Sequence, residues 1–90
     1  MTLSLKILII VFFSLANYAQ AAKPTSIRYV EDIITDKNEI FSYYIVRCSN
    51  GREVDISVWD GRKSWCAGKG TKIDCNKKQI KTAKEVCHRN

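Results

Sequence analysis

Four cysteines, Cys48, Cys66, Cys75 and Cys87, lie in the second half of a 90-residue chain, and they constrain its fold more than any other feature. No two of them form a Cys-x-x-Cys pair, so the spacing of zinc ribbons and of thioredoxin-type redox motifs is missing. An even count in a short chain that carries an export leader reads instead as a disulfide framework. The leader is the opening segment. Lys6 supplies a positive n-region, residues 7–15 form an apolar run broken only by Ser14, and Ala19-Gln20-Ala21 offers a small-x-small cleavage site. That run is too short for a bilayer-spanning helix, which needs ~20 residues. Cleavage after Ala21 leaves residues 22–90 as one small domain, expected in the periplasm or outside the cell. A core this small is marginal and calls for a staple.

The connectivity follows in part from local structure. Asn76 is a good N-cap and Gln79, three residues on, completes a capping-box pattern, with Cys75 and Ile80 at the staple positions. Helix formers dominate from Lys77 onward, and Ile80, Ala83 and Cys87 fall on one face. A helix from Lys77 places Cys75 and Cys87 roughly 18 Å apart at about 1.5 Å per residue. A disulfide needs Cα atoms within about 7 Å, so Cys75–Cys87 is excluded and Cys48–Cys66 with it. Two pairings survive: Cys48–Cys87 with Cys66–Cys75, or Cys48–Cys75 with Cys66–Cys87. The first is favoured, because Cys87 shares the apolar helix face and Cys48 falls on the apolar side of a sheet.

That sheet is read from the residues before the helix. Residues 26–35 and 40–48 are rich in β-branched and aromatic side chains around a turn-like Asp36-Lys37-Asn38, which suggests a hairpin. Ile27, Val30 and Ile34 also recur at helical spacing, so a short helix is the alternative for the first run. Asn50-Gly51 is a strong hairpin signal. A two-residue loop would mix apolar and acidic residues on one face. A three-residue loop, Ser49-Asn50-Gly51, with Gly51 in the left-handed region, pairs Val46 with Val54 and Tyr44 with Ile56. The other face then pairs Arg47 with Glu53 and Tyr43 with Ser57. One face becomes apolar and the other mostly polar, as a half-buried sheet requires. Asp60-Gly61 is a further turn, leading to a short strand at residues 62–66 and a flexible glycine loop at residues 67–72. The expectation is an α+β domain: three or four antiparallel strands with one C-terminal amphipathic helix packed on them.

Charge is uneven. Residues 22–60 carry five basic and seven acidic side chains, whereas residues 61–90 carry nine basic and two acidic. Lys77, Lys81, Lys84 and His88 form a stripe on the predicted helix, a candidate anion-binding face. Trp59 and Trp65 bracket Arg62 and Lys63, a candidate contact patch. Chemistry is thinly represented. His88 is the only histidine and sits where a helix C-terminus favours a positive imidazole. No serine–histidine–acid arrangement, phosphate-binding glycine loop or metal-ligand spacing is present, so neither a metal nor a cofactor is expected.

Residues 43–60, with their tyrosine, cysteine, glycine and alternating valines, resemble a hairpin of the periplasmic C-type lysozyme inhibitors. The likeness covers about a fifth of the chain. That family forms larger β-barrels with a serine- and glycine-containing inhibitory loop, which has no counterpart here, and the helical C-terminus departs from it. No inhibitory residue is carried over. The sequence therefore points away from an enzyme and toward a small, exported, basic binding or inhibitor-type module that recognises an envelope or extracellular protein. The alternative is a cationic effector acting on anionic membrane lipid or cell-envelope polysaccharide. A third reading is a small hydrolase pairing His88 with an acidic residue. No specific nucleic-acid partner is expected.

Overall fold

The computed structural model describes residues 21–89; the leader, apart from Ala21, lies outside them. Five antiparallel strands follow one another as a meander: β1 (Pro24–Ile34), β2 (Ile40–Cys48), β3 (Glu53–Trp59), β4 (Ser64–Ala67) and β5 (Ile73–Asn76), after which α1 (Gln79–Arg89) crosses one face. The sheet has five strands rather than three or four. The added strand is β5, four residues that pair with β4 through Trp65–Asn76 and Ala67–Ile73.

The first run is a strand, and its helix-like spacing has a physical cause. Register shifts against β2 fall between Pro24 and Ser26 and between Tyr29 and Glu31. Each bulge inserts a residue and switches which face the following side chains meet. The half-buried positions of β1 therefore come every third residue, at Pro24, Ile27, Val30 and Ile33. Ile27 packs with the helix-side core, whereas Val30 and Ile33 pack on the opposite side.

The β2–β3 hairpin has the register expected of a three-residue loop. Val46 pairs with Val54, Tyr44 with Ile56, Arg47 with Glu53 and Tyr43 with Ser57. Gly51 adopts φ +88°, and its N–H donates to the Cys48 carbonyl at 2.9 Å. The Arg52 N–H donates to Asn50 Oδ1 at 3.1 Å, so the asparagine side chain braces the turn.

The helix-side core comprises Tyr44, Val46, Cys48, Ile56, Val58 and Trp65, covered by Ala83, Val86 and Cys87. Cys48–Cys87 ties sheet to helix with Cα atoms 5.5 Å apart, and Cys66–Cys75 links β4 to β5. The favoured pairing is the one present. The helix begins at Gln79, two residues later than its expected start. Cys75, held to Cys66, keeps the chain in β5 through Asn76, so Lys77 and Lys78 make the turn instead. Asn76 is therefore not the N-cap; its Nδ2 donates to Glu85 Oε2 at 3.3 Å. The buried helix face is Thr82, Ala83, Val86 and Cys87, with Ile80 left 52% exposed. The Thr82 hydroxyl donates to the Trp65 carbonyl at 2.9 Å, seating the helix on β4. Burying the Val86 side chain contributes about 1.5–3 kcal/mol to that seat.

The opposite face is not mostly polar. Phe41, Tyr43, Trp59 and Cys66 form a second buried cluster. Residues 67–72, expected to be a flexible loop, fold back over it. The fully buried Ser57 hydroxyl donates to the Gly68 carbonyl at 2.6 Å and accepts from the Gly70 N–H at 3.1 Å. Trp59 Nε1 donates to the Thr71 carbonyl at 3.0 Å, and the Thr71 hydroxyl donates to the Ala67 carbonyl. Gly70 adopts φ +75° and lies against the Phe41 ring. The absence of a side chain at Gly70 lets the backbone approach the Phe41 ring, which a Cβ there would meet at 3.1 Å.

Candidate functional site

The two tryptophans do not form a joint patch. Trp59 pairs with Ser64 and Trp65 with Val58, so strand alternation sends them to opposite faces. Trp59 is 4% exposed and stacks on Phe41 with ring centroids 4.8 Å apart; Trp65 is 7% exposed and meets Tyr44 edge-on at 5.1 Å. Both are core residues. Arg62 and Lys63 remain exposed in the β3–β4 turn. Arg62 adopts φ +71° and acts electrostatically on Asp32 and Tyr29.

Those two residues make a small polar cluster at the uncovered end of the helix-side face. The Ser42 hydroxyl donates to Asp32 Oδ1 at 2.6 Å. With a second hydrogen bond from Tyr29, it holds the Asp32 carboxyl below its ordinary range. Partial desolvation, then the Asp32 hydrogen bond, raises the Tyr29 phenol.

The loop over the second face carries two more cations. Lys69 lies 4.5 Å from the Tyr43 ring centre and Lys72 lies 4.6 Å from that of Trp59. Lys72 also pairs with Glu39 at 2.7 Å. That hydrogen bond raises Lys72 and lowers Glu39 from their ordinary values. Both side chains are about half exposed, so solvent screens the pair and it adds little stability. Beneath them, the Tyr43 hydroxyl donates to Asp55 Oδ1 at 2.6 Å, and that bond, with burial and the carboxylate charge, pushes the phenol up to about 12.

The helix stripe is the predicted feature that the structure brings together. Lys77 sits in the turn before α1, and Lys81, Lys84 and His88 follow on its outward side, all exposed. Helical rotation places Ile80, Lys84 and His88 in one row at i, i+4, i+8, with Lys81 beside it. None of the ion pairs among the described residues uses Lys77, Lys81 or Lys84. The nearby carboxylates are engaged elsewhere. Arg89 pairs with Asp74 at 2.8 Å and with Glu85 at 3.7 Å. The lysine face is thus left without local compensation, and its field is positive.

A groove runs beside this face. It has a volume of ≈ 970 Å³ and lies between residues 21–24 and the Ile80, Lys84, Glu85 and His88 side of α1. Its sheet-side wall is anchored. The Ser49 N–H donates to the Lys23 carbonyl at 2.7 Å, and the Lys23 N–H donates to Ser49 Oγ at 2.9 Å. Ala22 packs against the core. The groove was not legible in the sequence, because it depends on Ile80 falling outside the buried helix face and on the leading segment docking beside it.

Among the described residues, no group of three or more His, Cys, Asp or Glu side chains could hold a metal ion. Neither Asp74 nor Glu85 shares an ion pair with His88 among the described residues. No protein-family model matches the chain, and comparisons with curated proteins and with solved structures found no match. The likeness of residues 43–60 to the lysozyme-inhibitor hairpin is confined to β2, β3 and their connecting turn.

Proposed function

We propose that this protein is a non-catalytic binding module of an oxidising, extracytoplasmic compartment, and that the lysine face of α1 is its contact surface for an anionic partner. The observation that carries the reading is the uncompensated set of Lys81 and Lys84 on a helix clamped to the sheet by a buried disulfide, with Lys77 in the turn that leads into it. Clamping matters because a charge row on a fixed helix presents a defined pattern, whereas the same lysines on a frayed segment would give only a diffuse field. Two disulfides in so small a domain fit an oxidising environment. The burial of both tryptophans supports a contact surface on the helix rather than in the β3–β4 turn.

The test is capture from a cell-envelope extract. Oxidised protein comprising residues 22–90 is immobilised, and bound material is eluted first at low and then at high salt. One discrete protein that stays bound at high salt supports a recognition module. Bulk anionic lipid or polysaccharide that leaves with salt supports the cationic-effector alternative. Turnover of an envelope polymer that is lost in His88→Ala would overturn the non-catalytic reading.

A further inference from the structure

The groove beside α1 combines two features. One is a set of hydrogen-bond donors, Lys84 and His88 on the helix with Lys23 lining the groove from the leading segment. The other is an apolar floor of Ala22, Pro24 and Ile80, the last of these 52% exposed. Resting on the reading of α1 as the contact face, we infer that the groove takes an extended acidic segment of a partner protein, in which carboxylates alternate with other residues and one apolar side chain seats on Ile80.

The spacing supports an extended chain. Lys84 and His88 are one helical turn apart, about 6 Å along the axis. Alternate side chains of an extended peptide are separated by about 6.6 Å on one side of the chain. Carboxylates two residues apart therefore reach Lys84 and the His88 ring in turn, while the intervening side chains point away or into the floor. The groove volume is of the size that receives a few side chains. Glu85 also lines the groove, but Arg89 and Asn76 both contact it, so its charge is partly met and the anion-attracting field survives.

A lipid surface fits less well. Helices that lie in a membrane interface present several large apolar side chains beside their cations. On this face of α1 the exposed apolar group is Ile80 alone among the described residues. About half of its surface is already covered, so insertion would bury little more apolar area. A groove wall opposite the helix would also hold a flat bilayer away from that side chain.

The probe is a short fluorescent peptide in which glutamates alternate with threonines on either side of one leucine, titrated by polarisation against the oxidised protein. Companion titrations use the same peptide with serine for leucine, and vesicles of phosphatidylglycerol. Binding is expected to weaken at least tenfold in Lys84→Glu. It is expected to weaken about fivefold in Ile80→Ser, or when the leucine is replaced. Ile80 is exposed enough that its replacement leaves the fold intact, which far-ultraviolet circular dichroism verifies. Peptide binding that needs Lys84 but ignores both Ile80 and the leucine would overturn the groove while leaving the lysine-face reading standing. Vesicle binding without peptide binding would overturn it in favour of a lipid surface. Binding to neither would overturn both the groove and the reading on which it rests.

Discussion

The two disulfides should be unequal in a way that their loops make calculable. Cys48–Cys87 spans 39 positions and Cys66–Cys75 spans 9. Loop-closure entropy gives about 4 kcal/mol for the first and about 2.6 kcal/mol for the second at room temperature. Packing widens the gap. Cys48 and Cys87 are 2% and 0% exposed, at the junction of Val46, Ile56 and Val86, so replacing both by alanine also opens a void in the core. Cys75 is exposed, and only its partner Cys66 is buried. A domain of this size has a total stability of roughly 4–10 kcal/mol. Cys48→Ala/Cys87→Ala should therefore lie near the threshold of folding, with α1 detached. Cys66→Ala/Cys75→Ala should fold, with β5 and the glycine loop loosened. Urea unfolding of both double variants, followed by circular dichroism at constant pH, measures the difference. With a slope of roughly 1 kcal/mol/M for so small a chain, the midpoint should fall by about 4 M or more in the first and about 2.6 M in the second. A Cys66/Cys75 variant as unstable as the Cys48/Cys87 variant would refute the assignment of the helix clamp as the principal staple.

Three further outcomes are expected. Gly70→Ala forces a side chain into positive φ and places its Cβ 3.1 Å from the Phe41 ring, whereas Gly61→Ala meets the same backbone penalty with nothing within 4 Å. Thermal melts should show Gly70→Ala to be the costlier by roughly 1 kcal/mol or more. Ser57→Ala leaves the Gly70 N–H and the Gly68 carbonyl without their side-chain partner. A loss of about 1–3 kcal/mol is expected, with faster amide exchange at Gly70 as the local readout. The Tyr43 phenol, pushed up to about 12, favours its neutral form in the folded state. Its contribution to stability is complete below the ordinary tyrosine range, near pH 10, and is lost as pH rises from there through about 12. Ultraviolet titration should show this tyrosine ionising last, and Asp55→Asn should bring it back toward the ordinary value.

Much of the sheet was legible because its signals are short-range. Asn50-Gly51 fixes a turn, and the requirement that one face be apolar then selects a single register for β2 and β3. Of the disulfide pairings, helix length excluded one, and the choice between the other two came from Cys48 and Cys87 both falling on apolar faces, where the structure joins them. The misplaced features are those that tertiary structure decides. β5 is held in the sheet by its disulfide to β4, so a run of only four residues pairs nonetheless, and the Asn76 capping signal is overridden. The spacing of three along β1 comes from bulges, which a strict period of two or 3.6 does not contain. Trp59 stands out in the sequence as a contact residue, because nothing local reveals that residues 67–72 fold back to bury it. Of the candidate site, the lysine row was visible as helical spacing. The groove beside it was not, because its second wall lies more than fifty positions away in the chain.

The central claim is that the lysine face of α1, rather than the exposed cations of the β3–β4 turn, is the surface that binds. The direct measurement is quantitative capture from envelope extract by three forms matched in folding: the wild type, Lys77→Glu/Lys81→Glu/Lys84→Glu, and Arg62→Glu/Lys63→Glu. All the substituted positions are exposed. Loss of the captured partner with the helix variant and its retention with the turn variant is the predicted result. Retention with the helix variant and loss with the turn variant would contradict the account.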